Sequence, residues 1–413
     1  MSETIALADL DSLKNALRNG LHEEWMKFHG RCLALPGWYD ESLDPMSPGY
    51  SAQQFRLWEM FGDAAGSYDA KRDEQFDDYD EAIVIASPGF YRARSPGAVF
   101  NAGDHLVAMG HLLKCSRLVA GDWALEYGAG YGQIALTLAR LGVNVDTVDI
   151  NQLYNKAVQA QADHFRVPLT SFHGVFGDNP RGAGHAYDLI LFYESFHHCA
   201  EFLQLPRRLR GLLKPNGRVL MAGEPIGNGN PSVPYPWGVR LDAEAVAVSG
   251  VRRWLELGFS EDFLVSLFHH HGFVWRRHDC PISHYGIVHE FTLRPAHIEL
   301  AKHRMPEAED TTWHFCEPNG RWTQARSVMS IEDMETPATV LVSVHSHNPV
   351  PVEVTFRGQH GERTEAFRQG ESKLVALASS MLGGSLEITS PTFVAGGADQ
   401  RQLGVFVTSL DYA

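Results

Sequence analysis

The stretch Ala124-Leu-Glu-Tyr-Gly-Ala-Gly-Tyr-Gly-Gln-Ile134 constrains the fold more than any other part of this chain. An apolar run carries an acidic residue, Glu126, passes through Gly128, Gly130 and Gly132, and gives way to helical spacing at Ile134, Leu138 and Leu141. Glycine lets the backbone turn sharply and lets a bulky ligand approach it closely. From Asp122 to about Leu293 short apolar runs alternate with helical patterns, the signature of βαβ units and a parallel sheet. Expected crossover strands are Trp123–Tyr127, Val143–Asp149, Leu169–Val175, Tyr187–Tyr193 and Arg218–Gly223. A helix over Phe259–His271 and two closing strands, Phe273–Cys280 and Ile287–Leu293, complete a seven-stranded, doubly wound α/β core of Rossmann-like type.

Asp149 ends the second strand about twenty residues after the glycines, where a carboxylate can accept hydrogen bonds from ribose hydroxyls. Nicotinamide sites share this layout, but their G-x-G-x-x-G pattern needs its third glycine where this chain has Gln133. The arrangement E-x-G-x-G-x-G instead resembles the first motif of class I S-adenosylmethionine (SAM)-dependent methyltransferases, of type 11/12-like kind. Three further stretches follow in the family's order. They are Gly177-Asp178 after the third strand, Tyr187 to His198 along the fourth, and Leu213-Lys-Pro-Asn-Gly-Arg-Val-Leu220 leading into the fifth. The resemblance implies SAM as cofactor and S-adenosylhomocysteine as product. It further implies a cofactor site of Glu126, Gly128, Gly130, Gly132, Asp149 and Asp178, with Glu126 near the methionine end and Asp178 at the adenine amino group.

Methyl transfer from a sulfonium is an in-line displacement by an already activated donor. The enzyme aligns the acceptor and, for a hydroxyl, removes its proton. Ligands of open α/β sheets sit outside the carboxyl ends of the strands. Glu194-Ser-Phe-His197-His198, ending the fourth strand, therefore brings proton acceptors to the reacting centre. Imidazole titrates near neutrality, which makes His197 the favoured base and His198 its rival. Glu194 either orients the histidine or lines the pocket, and Glu224, ending the fifth strand, faces the acceptor or caps its turn. Tyr235-Pro-Trp237 reads as an acceptor wall or as plain packing.

At 413 residues the chain exceeds one ordinary domain. Its texture divides it into a helical and looped N-terminal region (1–119, a lid or substrate-side wall), the core (120–295) and an antiparallel β-sandwich (296–413). Sandwich strands are expected at Thr339–Val344, Val352–Phe356, Leu374–Leu377, Leu386–Thr389 and Leu403–Ser409. Asn319 to Trp322 and Asp399 to Thr408 resemble sandwich segments found beside enzymes of bacterial surface-polysaccharide synthesis, with homodimerisation the equally weighted alternative. A net charge of −15 argues against a nucleic-acid partner. No apolar run reaches membrane-spanning length, and Met1–Gly20 lacks the basic-then-apolar pattern of a secretory leader. Five scattered cysteines fit a reducing cytoplasm.

The run His269–His271 sits at a helix end and cannot converge on one ion, and His345 and His347 lack a third ligand, so no metal is expected. The acidic run Asp69–Glu81 reads as solvated surface. The function expected is SAM-dependent O-methylation of a sugar hydroxyl on a glycan or glycan precursor in the cytoplasm, with histidine as base. A small-molecule natural-product methyltransferase and a non-catalytic SAM-fold scaffold for carbohydrate or a partner are the alternatives, and Gln133 disfavours a nicotinamide oxidoreductase.

Overall fold

Every second residue of the central strands points to the same face, and both faces are apolar, so helices must cover both. Along β4 (Tyr187–Tyr193), Leu189 and Leu191 enter one core while Ile190 and Phe192 enter the other. The computed structural model describes residues 4–62, 66–75, 80–94, 97–293, 297–301, 303, 305, 307–331, 339–396 and 399–412. The remaining members of the sheet are β1 (Trp123–Tyr127), β2 (Asn144–Asp149), β3 (Leu169–His173), β5 (Leu213–Ala222), β6 (Phe273–His278) and β7 (Val288–Leu293). Their order is β6-β7-β5-β4-β1-β2-β3; β7 is antiparallel to both its neighbours and the other pairings are parallel.

The helices relevant to the site are α1 (Leu10–Arg18), α2 (Pro48–Phe61), α3 (Ala98–Ser116), α4 (Gln133–Arg140), α5 (Gln152–Phe165), α6 (Leu205–Arg210), α7 (Ala243–Arg252) and α8 (Glu261–His270). Met109 and Leu112 of α3 and Ile134 and Leu138 of α4 join Leu189 and Leu191 on one face. Leu13 of α1, Leu57, Trp58 and Phe61 of α2, and Val246 and Phe268 join Ile190 and Phe192 on the other. Two compact units, Met1–Leu293 and Arg294–Ala413, divide the chain, so the N-terminal helices belong to the unit that holds the sheet. The expected boundary at 295 lies outside the described residues.

Two sequence expectations change in detail. Strand β5 begins at Leu213 rather than Arg218, and its pairing with β4 shifts register between Leu213 and Arg218. The Pro-Asn-Gly turn is thus retained inside one strand. The acidic run is not simply solvated surface. Asp73 is buried and held by Arg72 and Arg253, and Glu74 accepts from the Tyr68 hydroxyl and the Leu255 N–H. Residues 76–79 of that run lie outside the described residues.

Among the described residues the second unit holds two larger antiparallel sheets and a two-stranded one, Phe393–Gly396 with Asp399–Leu403. One orders His297–Glu299, Phe406–Tyr412, Thr339–His345 and Ser372–Ala378, with Arg321–Trp322 also on Phe406–Tyr412. The other orders Arg326–Ser330, Ser385–Thr389, Val352–Arg357 and Glu362–Phe367. Val340 and Val342 from the first share one core with Val354, Leu386 and Ile388 from the second. Among the described residues no helix is long and apolar enough to cross a membrane.

Candidate active site

At the carboxyl end of β1 the three glycines adopt the left-handed backbone, at φ +63°, +51° and +69° for Gly128, Gly130 and Gly132. They differ in what surrounds them. A Cβ on Gly128 would lie 2.6 Å from Ser195 Cβ, and one on Gly132 would lie 2.9 Å from Val158 Cγ2 of α5. A Cβ on Gly130 would meet nothing within 4 Å, because that residue faces a cavity of about 730 Å³. Two glycines therefore permit close packing, and the middle one leaves room for a ligand.

Asp149, at the end of β2, lines the cavity and accepts from the Gly130 N–H at 3.3 Å and the Asn151 N–H at 2.8 Å. Burial pushes its carboxyl up to about 6 despite those two bonds. Gly174, Val175 and Phe176 continue the same wall after β3. Glu126 and Asp178 face elsewhere. Glu126 accepts from the Ala135 N–H at the start of α4, and burial raises its carboxyl to about 8. Asp178 accepts from Val175 N–H and so shapes the loop whose neighbours form the wall. Neither carboxylate lines the cavity, and Gly132 does not either.

More of the cavity wall comes from the turn after β4 and from chain far away in sequence. Glu194, Ser195 and His198 line it together with Phe55, Tyr68, Glu74 and Trp254. Glu194 holds φ +50°, a conformation that costs a non-glycine residue about 1–3 kcal/mol and is found at functional sites. Its carboxylate stands 3.4 Å from His105 Nδ1, and burial raises its affinity for a proton to about 7, with Glu224 adding to the effect.

Of the two histidines expected near the acceptor, with His197 favoured, the structure brings only His198 to this cavity. His197 is 7 % exposed and absent from the cavity wall, whereas His198 forms part of it. The cause is Glu224. Its carboxylate accepts from the backbone N–H of Ser195, Phe196 and His197 and from His197 Nδ1 at 2.7 Å, which turns the ring inward. Glu224 is thereby the cap of the turn and does not reach the cavity. Burial opposes charge on His197, but Glu224 outweighs it and the ring's pKa is raised. Burial and the neighbouring His197 leave His198 well below the ordinary imidazole value. Of the Tyr235–Trp237 segment, Trp237 is buried with its indole N–H on the Pro45 carbonyl and Tyr235 is exposed; neither lines the cavity.

Residues 125–219, from β1 to β5, match the methyltransferase-domain family. The match spans less than a quarter of the chain. SAM is the cofactor, and the residues present fit it: the open side of Gly130, the Asp149 carboxylate and the segment Gly174–Phe176 line one cavity. Solved structures that resemble the chain include the YcgJ protein of Bacillus subtilis, at 17% identity and a TM-score of 0.34, covering 42% of this chain and 71% of that one. The CcbJ methyltransferase of Streptomyces caelestis is 18% identical with a TM-score of 0.38, covering 55% of this chain and 100% of its own. A Burkholderia thailandensis 1,6-didemethyltoxoflavin N1-methyltransferase, solved with its substrate and S-adenosylhomocysteine, is 16% identical with a TM-score of 0.38, covering 56% and 93%. No curated protein matches the chain.

Sequence reasoning missed Glu74 and Trp254 on the acceptor-side wall and Glu256 beside His197. No local pattern marks them, since α7 and the N-terminal segment carry them to the site through tertiary packing.

Proposed function

We propose that this protein O-methylates a polyhydroxylated acceptor, a sugar hydroxyl of a glycan or glycan precursor, with Glu194 as general base. The observation carrying this reading is that Gly130, Asp149 and Glu194 line one and the same cavity. Gly128, Gly130 and Asp149 hold the cofactor, and Glu126 and Asp178 support the loops that shape its pocket. The bound sulfonium supplies an activated methyl group. Glu194 then accepts the acceptor's hydroxyl proton, and its carboxyl, raised to about 7 by burial, is matched to that task at neutral pH. His198 is the weaker candidate, because burial has depressed the basicity of its ring. The aromatic side chains Phe55, Tyr68 and Trp254, interleaved with Glu74 and Glu201, suit a molecule with alternating apolar and hydroxyl faces.

Radiolabelled SAM incubated with nucleotide sugars, glycan precursors, amines and thiols tests the acceptor class. The reading expects label in a hydroxyl-bearing sugar fraction. Label confined to amines or thiols contradicts it.

A further inference from the structure

Beside Glu194, the turn after β4 gathers further groups able to hold a ligand. His197 and His198 lie with ring centroids 4.2 Å apart. Glu224 already accepts three backbone N–H bonds and a further one from His197 Nδ1–H, and Nε2 of that ring stands 3.6 Å from Glu256 Oε2. His198 Nδ1 is buried without a hydrogen-bond partner and stands 3.4 Å from Glu74 Oε2. Ligand atoms of His197, His198 and Glu256 all lie within 4.8 Å of one another.

We propose that His197, His198 and Glu256, with Glu74 beside His198, form a site for one divalent transition-metal ion of the zinc class. With bonds of about 2.0–2.2 Å, the donors of a tetrahedral site stand about 3.3–3.6 Å apart, and the His197–Glu256 and His198–Glu74 pairs already have that spacing. Two imidazoles with carboxylates favour zinc, iron or cobalt over magnesium or calcium. Glu224 on the far nitrogen of His197 supplies the carboxylate–histidine–metal arm that fixes the ring's tautomer and strengthens its donor atom. Arg240 is the competing cation. It reaches Glu256 at 3.3 Å but turns its other nitrogens to Asp242. The ion would tie three segments together: the chain leading to Glu74, the turn after β4, and Trp254–Glu256. Binding stands independently of the methylation reading, and only use of the ion on an acceptor rests on it.

The test uses the full chain without a histidine tag, stripped with a chelator and titrated calorimetrically with Zn²⁺. About one ion per chain is expected, with a higher melting temperature, and Co²⁺ should show the visible bands of a tetrahedral site. His198→Ala and Glu256→Gln should each weaken binding by more than about 100-fold, and Glu224→Gln by about 10- to 100-fold. His270→Ala should leave it unchanged. Circular dichroism establishes that each variant is folded, and Glu74→Gln substitutes for any that is not. Absence of Zn²⁺ binding by the folded chain, or binding unchanged in His198→Ala, overturns the site. Titrating S-adenosylhomocysteine into the same stripped protein keeps the two readings apart, since it should bind with or without metal.

Discussion

A carboxylate takes a proton from an alcohol best when its own proton affinity lies near the working pH. Glu194 meets that condition because the fold has desolvated it at the end of β4, and its left-handed backbone aims the side chain from a position a relaxed strand would not offer. Glu194→Gln should lower turnover by about 100- to 10,000-fold while the affinity for S-adenosylhomocysteine, measured calorimetrically, stays unchanged. The base works only when ionised. The wild-type rate should therefore rise with pH through about 7 and level off above it. A rate independent of pH in that range, or near-normal turnover by Glu194→Gln, moves the proton acceptor elsewhere. The histidines illustrate how residue type and residue role separate. Their position after the fourth strand was legible in the sequence, but which ring faces the cavity depends on Glu224, 27 residues further on.

Among elements, the glycine loop and its strand were legible because their constraints are local. Trp123–Tyr127 and Tyr187–Tyr193 fall on the expected residues since short apolar runs and flanking turns define them. The strands Arg326–Ser330 and Glu362–Phe367 were not foreseen, and the latter's mostly exposed pattern shows why: it lacks the apolar alternation of a half-buried strand. The distinct surroundings of the glycines make a stability prediction. Gly130→Ala carries only the left-handed backbone penalty, about 1–2 kcal/mol, whereas Gly128→Ala adds overpacking against Ser195 of about 1–3 kcal/mol. Urea midpoints of the two variants should differ in that order; equal losses contradict the assignment. The segment leading to Glu74 is anchored by Asp73. Burial acts against its charge, but Arg72 and Arg253 hold its carboxyl down at about 2, below the ordinary 3.8. That stabilisation is present above the unfolded value and lost as pH falls from about 4 toward 2, so Asp73→Asn should cost about 2 kcal/mol at pH 7 and little at pH 2. Denaturant melts at both pH values check it.

For the whole molecule, a sequence reading can assign a core to each stretch but cannot see which stretches share one. Trp58 and Phe61, far upstream of the glycine loop, complete the same core as Phe192, which is why the N-terminal helices belong to the first unit. The cofactor wall and the acceptor-side wall both lie within Met1–Leu293. A chain ending at Leu293 should therefore fold and bind the cofactor, and a folded but non-binding fragment would contradict that division. The central claim, that the open side of Gly130 and the Asp149 carboxylate form a SAM pocket, is tested most directly by calorimetric titration of S-adenosylhomocysteine into the full wild-type chain and into Gly130→Arg. A single site in the wild type is expected, with no response to NAD and no binding by a Gly130→Arg protein whose circular dichroism is unchanged. Binding of NAD by the wild type, or undiminished S-adenosylhomocysteine binding by Gly130→Arg, would contradict it.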